Sequence, residues 1–264
     1  MKTPQQIVWL ALVPLALALT TAGALAQVDQ RTIAQQLLDQ DNVAARNKAL
    51  DMAQTVGAQN ASPELRAALM TTLAREGQRH AERYEAGRRG EELEPMADPE
   101  FIARVSRVVI ELQDPQTIPA LTGALATGIQ VPRALARFGE QAAPAVLRTV
   151  ADPDGWYDAV GGGLITLRFM VEGAATRPLS SGVRDQIRRV AKERLTGKQH
   201  FTILWRAIDL ASVLKDAELT RIVETIASDA NEVAARGVDD PEVVELTQKR
   251  AADLIAGKAP LPRP

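Results

Sequence analysis

The residues equipped for chemistry are few and scattered along the 264-residue chain. Ser212-Val-Leu-Lys215 fits the S-x-x-K pattern, in which a lysine one helical turn from a serine activates it as a nucleophile. That chemistry needs the serine at a helix start and companion S-D-N and K-T-G elements. Here Ser212 falls at the end of a predicted helix, Ser228-Asp229 is followed by Ala230, and Thr196-Gly-Lys198 runs in the wrong order. The glycine run Gly161-Gly162-Gly163 lacks the spacings of phosphate-cradling loops and follows no predicted strand, so it is read as a close helix packing or a local break. His80 and His200 are the only two histidines, and Glu76 one turn before His80 is read as a surface pair rather than a metal site. With no cysteine there is no thiolate, disulfide or lipobox. No catalytic residue, metal ligand or cofactor is assigned.

The first 26 residues carry one charge, Lys2, then an apolar stretch from Ile7 to Leu19 and the small-residue ending around Ala24 and Ala26. This is the layout of a secretory signal peptide cleaved after Ala26, which predicts a periplasmic or secreted protein starting at Gln27. The alternative is a retained membrane anchor, since residues 7–26 are long enough to span a bilayer. Removing Lys2 leaves 30 basic against 33 acidic residues, a balance that argues against nucleic-acid binding. No second long uncharged run follows, so no stable membrane insertion is expected after cleavage.

The elements that would position any site are helical throughout, because apolar residues recur at three- and four-residue spacing and no stretch sustains alternation. Two N-terminal helices carry Ile33, Leu37 and Leu38, then Val43, Leu50 and Ala53, and Ser62-Pro63 opens a third. Residues 27–86 form these N-terminal pairs, and 87–97 read as a linker or long loop. Helices are then predicted near 99–112, 114–125, 130–138, 141–151, 154–171, 181–195, 201–214, 216–228 and 241–255. Residues 258–264 read as a disordered tail. Thr117 to Leu125 and Ala142 to Val150 share an order of apolar, proline, alanine and apolar residues, and first helices recur every 25 to 40 residues. Stacked helix pairs at such a period characterise an α-solenoid.

The junction Arg133 to Leu147, RALARFGEQAAPAVL, resembles the joint of HEAT repeats, particularly the short type found in phycobilisome lyase subunits. Ala134-Leu135, Phe138-Gly139 and Ala142-Ala143-Pro144 stand at the characteristic positions. Gly139 is free to take the left-handed conformation that ends a helix, and Pro144 fits the first turn of the next. The resemblance implies an all-α, right-handed α-solenoid acting as an interaction scaffold, with about six antiparallel helix pairs along the chain and the HEAT-like repeats over 98–257; a monomer is expected. Second helices usually line the concave face of such a stack, which makes Arg133 and Arg137 a basic ledge. Trp156 and Tyr157 open the next second helix, and Arg206 lies in the one after, beside Trp205, whose stripe with Phe201, Leu204 and Ile208 marks it as core. The expected function is therefore non-catalytic binding of a protein partner in the bacterial cell envelope. Burial of Ser212 against Lys215, or two carboxylates converging on a closed pocket, would instead favour an envelope hydrolase or lyase, and a retained leader would make the chain a membrane-tethered adaptor.

Overall fold

The computed structural model describes residues 30–91 and 99–258, so the leader, most of the 87–97 linker and all but one residue of the tail lie outside it. Among the described residues the protein is all-helical, without a strand. The chain divides into two compact units at Thr72 and Leu73, within one helix.

The first unit contains α1 (residues 30–38), α2 (Val43–Val56) and the start of α3 (Pro63–Arg88). Ile33, Leu37, Leu50, Leu65 and Leu69 are buried, as their spacing predicts. Leu38 and Val43 were placed on the same stripes but are 37% and 62% exposed. They end α1 and begin α2, where the intervening turn swings both away from the core. The Ser62 hydroxyl caps α3 by accepting the Leu65 N–H at 3.2 Å. The buried Gln30 side chain donates to the Asn60 carbonyl at 3.1 Å and accepts the Ser62 N–H at 2.6 Å, so one amide ties α1 to the entrance of α3.

The second unit takes the rest of α3 and then α4 (Pro99–Glu111), α5 (Ile118–Gly123), α6 (Gln130–Phe138), α7 (Ala143–Ala151) and α8 (Tyr157–Phe169). It continues with α9 (Ser181–Thr196), α10 (Phe201–Leu214), α11 (Ala217–Ser228), α12 (Ala230–Ala235) and α13 (Pro241–Ile255). α3 runs to Arg88, into the residues predicted as linker. The helix predicted from 114 to 125 is broken into a 3-10 turn at Pro115–Thr117, α5, and a second 3-10 turn at Leu125–Thr127. Pro119 lacks the N–H that would have bonded the Pro115 carbonyl, which interrupts a single ladder starting at Asp114. α12 was not predicted, because its six residues are too few to show a period.

Packing follows a simple neighbour order. α4 touches α5 and α6, α5 touches α7, α6 touches α8, α7 touches α8 and α9, and α8 touches α10. α9 then touches α10 and α11, and α13 packs on both α10 and α11. Long-range hydrogen bonds recur at a similar offset. Arg194 of α9 donates to the Val150 and Asp152 carbonyls at the end of α7, at 2.8 and 2.7 Å and separations of 44 and 42 residues. Arg236 donates to the Leu195 carbonyl at the end of α9 at 2.6 Å, 41 residues away. Both arginines satisfy helix-terminal carbonyls that have no partner in their own helix.

The α6–α7 joint is built as its residues predict, with one difference. Gly139 has positive φ, but its φ of 55° pairs with ψ of −124°, outside the left-handed helical well and still less accessible to a side chain. Pro144 sits in the first turn of α7. The Glu140 carboxylate accepts the Ser180 N–H at the start of α9, a tie across 40 residues that spacing alone does not reveal. This bond holds the Glu140 carboxyl below the usual carboxylate range.

The glycine run is resolved as close packing. α8 is buried from Val160 to Leu167, and an added Cβ at Gly162 would overlap the Leu125 carbonyl, while one at Gly163 would press into Val150. At Gly161 a Cβ would meet only Thr202 and Arg206 carbons, at 3.8 Å, which is ordinary contact. Gly161→Ala is therefore expected to stabilise the fold by up to about 1 kcal/mol through helix propensity. Gly162→Ala should cost about 1–3 kcal/mol through overpacking. Urea denaturation of the two variants, followed by circular dichroism, checks the opposite signs.

Candidate functional site

Two open clefts lie side by side over α4 and α6 and share Ile110, Ala134 and Arg137. One, of about 600 Å³, continues past the Gly139 joint to Arg177 and Pro178. The other, of about 570 Å³, runs between Arg107 and Arg133. Together they form one groove of the second unit. Arg133 and Arg137, one turn apart on α6, are both exposed there. The Arg133 guanidinium lies 5.6 Å from the centre of the Phe169 ring, which fixes it by a cation–π contact. The α6 backbone is tied to the far wall where the Thr176 N–H donates to the Arg137 carbonyl at 3.3 Å. Spacing could not show that Arg107 and Arg177 join the ledge, since they come from α4 and from the loop after α8.

Trp156 and Tyr157 take part in a different arrangement, a strip of rings in the same unit. Trp156 meets His80 edge-on at 4.8 Å and stacks on Tyr84 at 5.2 Å. Tyr157 meets Tyr84 at 5.1 Å and stacks on His200 at 4.2 Å. The strip then passes to Phe201 at 4.4 Å and Trp205 at 5.2 Å. It gathers both histidines and both tyrosines of the chain. It shares no residue with the groove, so the predicted binding residues fall into separate clusters.

Burial lowers the pKa of His80, and Arg83 adds to the effect, while Asp158 opposes it. Burial likewise lowers that of His200, again against Asp158. The His200 Nδ1 accepts the Thr202 N–H at 3.3 Å as the cap of α10, a bond only the unprotonated nitrogen can make. Burial also raises the Tyr157 hydroxyl, with Asp158 adding to it. Glu76 pairs with Arg79 at 3.3 Å. No cluster of three potential metal ligands occurs among the described residues.

Arg206, the fifth predicted binding residue, is engaged inside the fold. Its Nη1 lies 3.2 Å from Asp209, whose side chain is 2% exposed. Arg250 of α13 reaches the same carboxylate with three contacts of 2.6 to 2.9 Å. Trp205 is half-buried rather than sealed in the core; its indole N–H donates to the buried Thr247 at 2.7 Å, and Arg250 lies 5.7 Å from the ring centre. Ser212 donates to the Asp209 carbonyl at 2.7 Å, and Lys215 is an exposed helix cap with φ of 52°. Neither contact prepares a nucleophile.

No protein-family model matches the sequence, and no curated protein matches it significantly. Function has to be argued from these geometries.

Two outcomes follow from the buried pair and the ring strip. Asp209→Ala leaves two arginines facing an empty buried position and should cost about 3–5 kcal/mol in urea denaturation. For the histidines, the folded-state values lie below the ordinary value of about 6.5, so the unfolded chain binds protons first as pH falls. Their contribution is present above pH ~6.5 and is lost as pH drops toward the depressed folded values. The melting temperature should therefore fall from pH 7 to pH 5, and more steeply in the native chain than in a His80→Phe/His200→Asn variant. Equal slopes would show that the histidines do not contribute.

Proposed function

We propose that the protein is an exported, non-catalytic HEAT-like α-solenoid that binds a protein partner in the bacterial cell envelope. The solenoid reading is supported by the order in which each helix meets its next or next-but-one neighbour, and by hydrogen bonds recurring about 40 residues apart. Each helix pair in such a stack buries its apolar stripe only against its neighbours. Gly139 and Pro144 at the α6–α7 joint fit the HEAT-like resemblance.

The observation that carries the binding role is the groove itself, open to solvent and lined by exposed arginines beside Ile110 and Ala134. Arginine beside aliphatic surface is a common composition of interface anchors. The geometry around Ser212 gives the hydrolase alternative no support, and the tethered alternative rests on residues outside the structure. No described helix is long and apolar enough to cross a membrane.

In-cell crosslinking of the tagged full-length protein, then purification and mass spectrometry, tests the proposal. A stoichiometric protein partner is expected, with recovery reduced when Arg133 and Arg137 are both changed to Gln. The processed protein should begin at Gln27. Recovery of the protein alone would remove the scaffold reading.

A further inference from the structure

We infer that the groove over α4 and α6 receives an extended acidic peptide segment whose carboxylates alternate with aliphatic side chains. The inference rests on the scaffold reading and specifies the chemistry of the partner.

Charge gives the first part. The guanidinium groups of Arg107, Arg137 and Arg177 meet no carboxylate among the described residues, while Arg133 is held over Phe169. Elsewhere the arginines that point into the fold are committed: Arg194 and Arg236 to helix-end carbonyls, Arg206 and Arg250 to Asp209. The planar fork of each groove guanidinium is thus available to take a carboxylate in two parallel hydrogen bonds. Of the two acids on the groove wall, Glu140 is occupied by the Ser180 N–H, and Glu111 lies one turn after Arg107 on α4, which leaves arginines in excess, four to two.

Spacing gives the second part. Residues four apart on a helix have Cβ atoms about 5–6 Å apart, which is the separation of Arg133 and Arg137 along α6. In an extended chain alternate residues are about 6.6 Å apart. Carboxylates at every second position of an extended peptide therefore keep pace with the α6 arginines, whereas consecutive acids do not. Successive side chains of an extended chain point to opposite sides, so the residues between the carboxylates turn from α6 to the α4 wall, where Ile110 lines both clefts and Ala103 one of them. A phosphate or lipid headgroup would satisfy the arginines but leave that lining uncovered.

The test uses the full-length protein and a fluorescein-labelled dodecapeptide repeating Glu-Leu-Glu-Ala, read by fluorescence anisotropy. Saturable binding is expected, weakened at least about tenfold in an Arg107→Gln/Arg133→Gln/Arg137→Gln variant and weakened further by added salt. The substituted side chains are exposed, so the variant should keep the native melting temperature. Arg133→Glu/Arg137→Glu should instead bind the matching Lys-Leu-Lys-Ala peptide, a gain that misfolding cannot produce. Equal binding of a peptide with Gln in place of Glu, or indifference to the arginine substitutions, overturns the inference. So does binding to phosphatidylglycerol vesicles without binding to the peptide, which would assign the groove to a membrane surface. If crosslinking recovers a partner through Arg133 and Arg137 while the acidic peptide fails to bind, only this inference fails. Peptide binding with no partner in cells would leave the groove's chemistry intact and remove the scaffold reading.

Discussion

The second unit depends on how closely other chain segments can approach the backbone of α8. This helix is buried over eight consecutive residues and contacts α6, α7 and α10 as well as the 3-10 turn before α6. A helix so enclosed cannot keep one polar face, and its sequence from Val160 to Leu167 has none. Gly162 and Gly163 remove the side chains that would hold Leu125 and Val150 away. Gly77 of α3 performs the same service against the Gly123 carbonyl of α5. With α8 seated in this way, its first residues bring Trp156 and Tyr157 to the ring strip, and its last places Phe169 beneath Arg133. Both candidate surfaces are therefore set by one packing constraint, although they share no residue.

Arginine has two separate uses in this chain, and burial distinguishes them. A guanidinium withdrawn from water needs every donor directed at an acceptor, because the cost of an unpaired buried charge exceeds most packing gains. Arg236 directs its Nε at the Leu195 carbonyl and its Nη1 at Glu232, and Arg250 directs its Nε and Nη2 at Asp209. Arg107, Arg133 and Arg137 stay exposed and face no such requirement. Their removal leaves no orphaned acceptor inside the fold. Stability and the chemistry of the groove can for that reason be varied separately, which is seldom possible when a charged site is buried.

Helix positions were legible in the sequence wherever a period of at least two turns was bounded by proline, serine, aspartate or glycine. Gln130–Phe138, Phe201–Leu214 and Pro241–Ile255 coincide with their predicted spans. The misses have local causes: α12 is too short to show a period, and the ladder into α5 is interrupted at Pro119. The π-helical turn Met170–Ala174, with Gly173 at φ 97°, carries no pattern that announces it. Of the groove, only Arg133 and Arg137 were readable, because they share one helix. Arg107 and Arg177 reach it from segments whose register against α6 is set by packing. The ring strip was less visible still. His80 and Trp156 are individually conspicuous, yet nothing short of the fold brings residues 76 positions apart into contact. Arg206 shows the reverse error: an aromatic-arginine pair suggested an exposed anchor, but Asp209 one turn later draws the guanidinium inward.

The strip also bears on how two of the helices, α8 and α10, begin. α2, α9, α11, α12 and α13 start with Asn42, Ser180, Asp216, Asp229 and Asp240, each accepting a backbone N–H through its side chain. α5, α6 and α7 start without such a bond; so does α8, with Trp156 at its head, while α10 makes it through a ring nitrogen of His200. Giving up an oxygen cap costs about 1 kcal/mol. An aromatic pair is worth about 0.5–1.5 kcal/mol beyond its buried area, and each of these positions takes part in two or more pairs, so ring packing offsets the lost cap. The substitution changes how those two helix starts respond to acid. A serine hydroxyl keeps its acceptor at any pH, whereas the imidazole at the head of α10 loses its acceptor on taking up a proton. Acid therefore acts at the head of α10 through the His200 cap, and the ring contact between Tyr157 and His200 joins that cap to the start of α8.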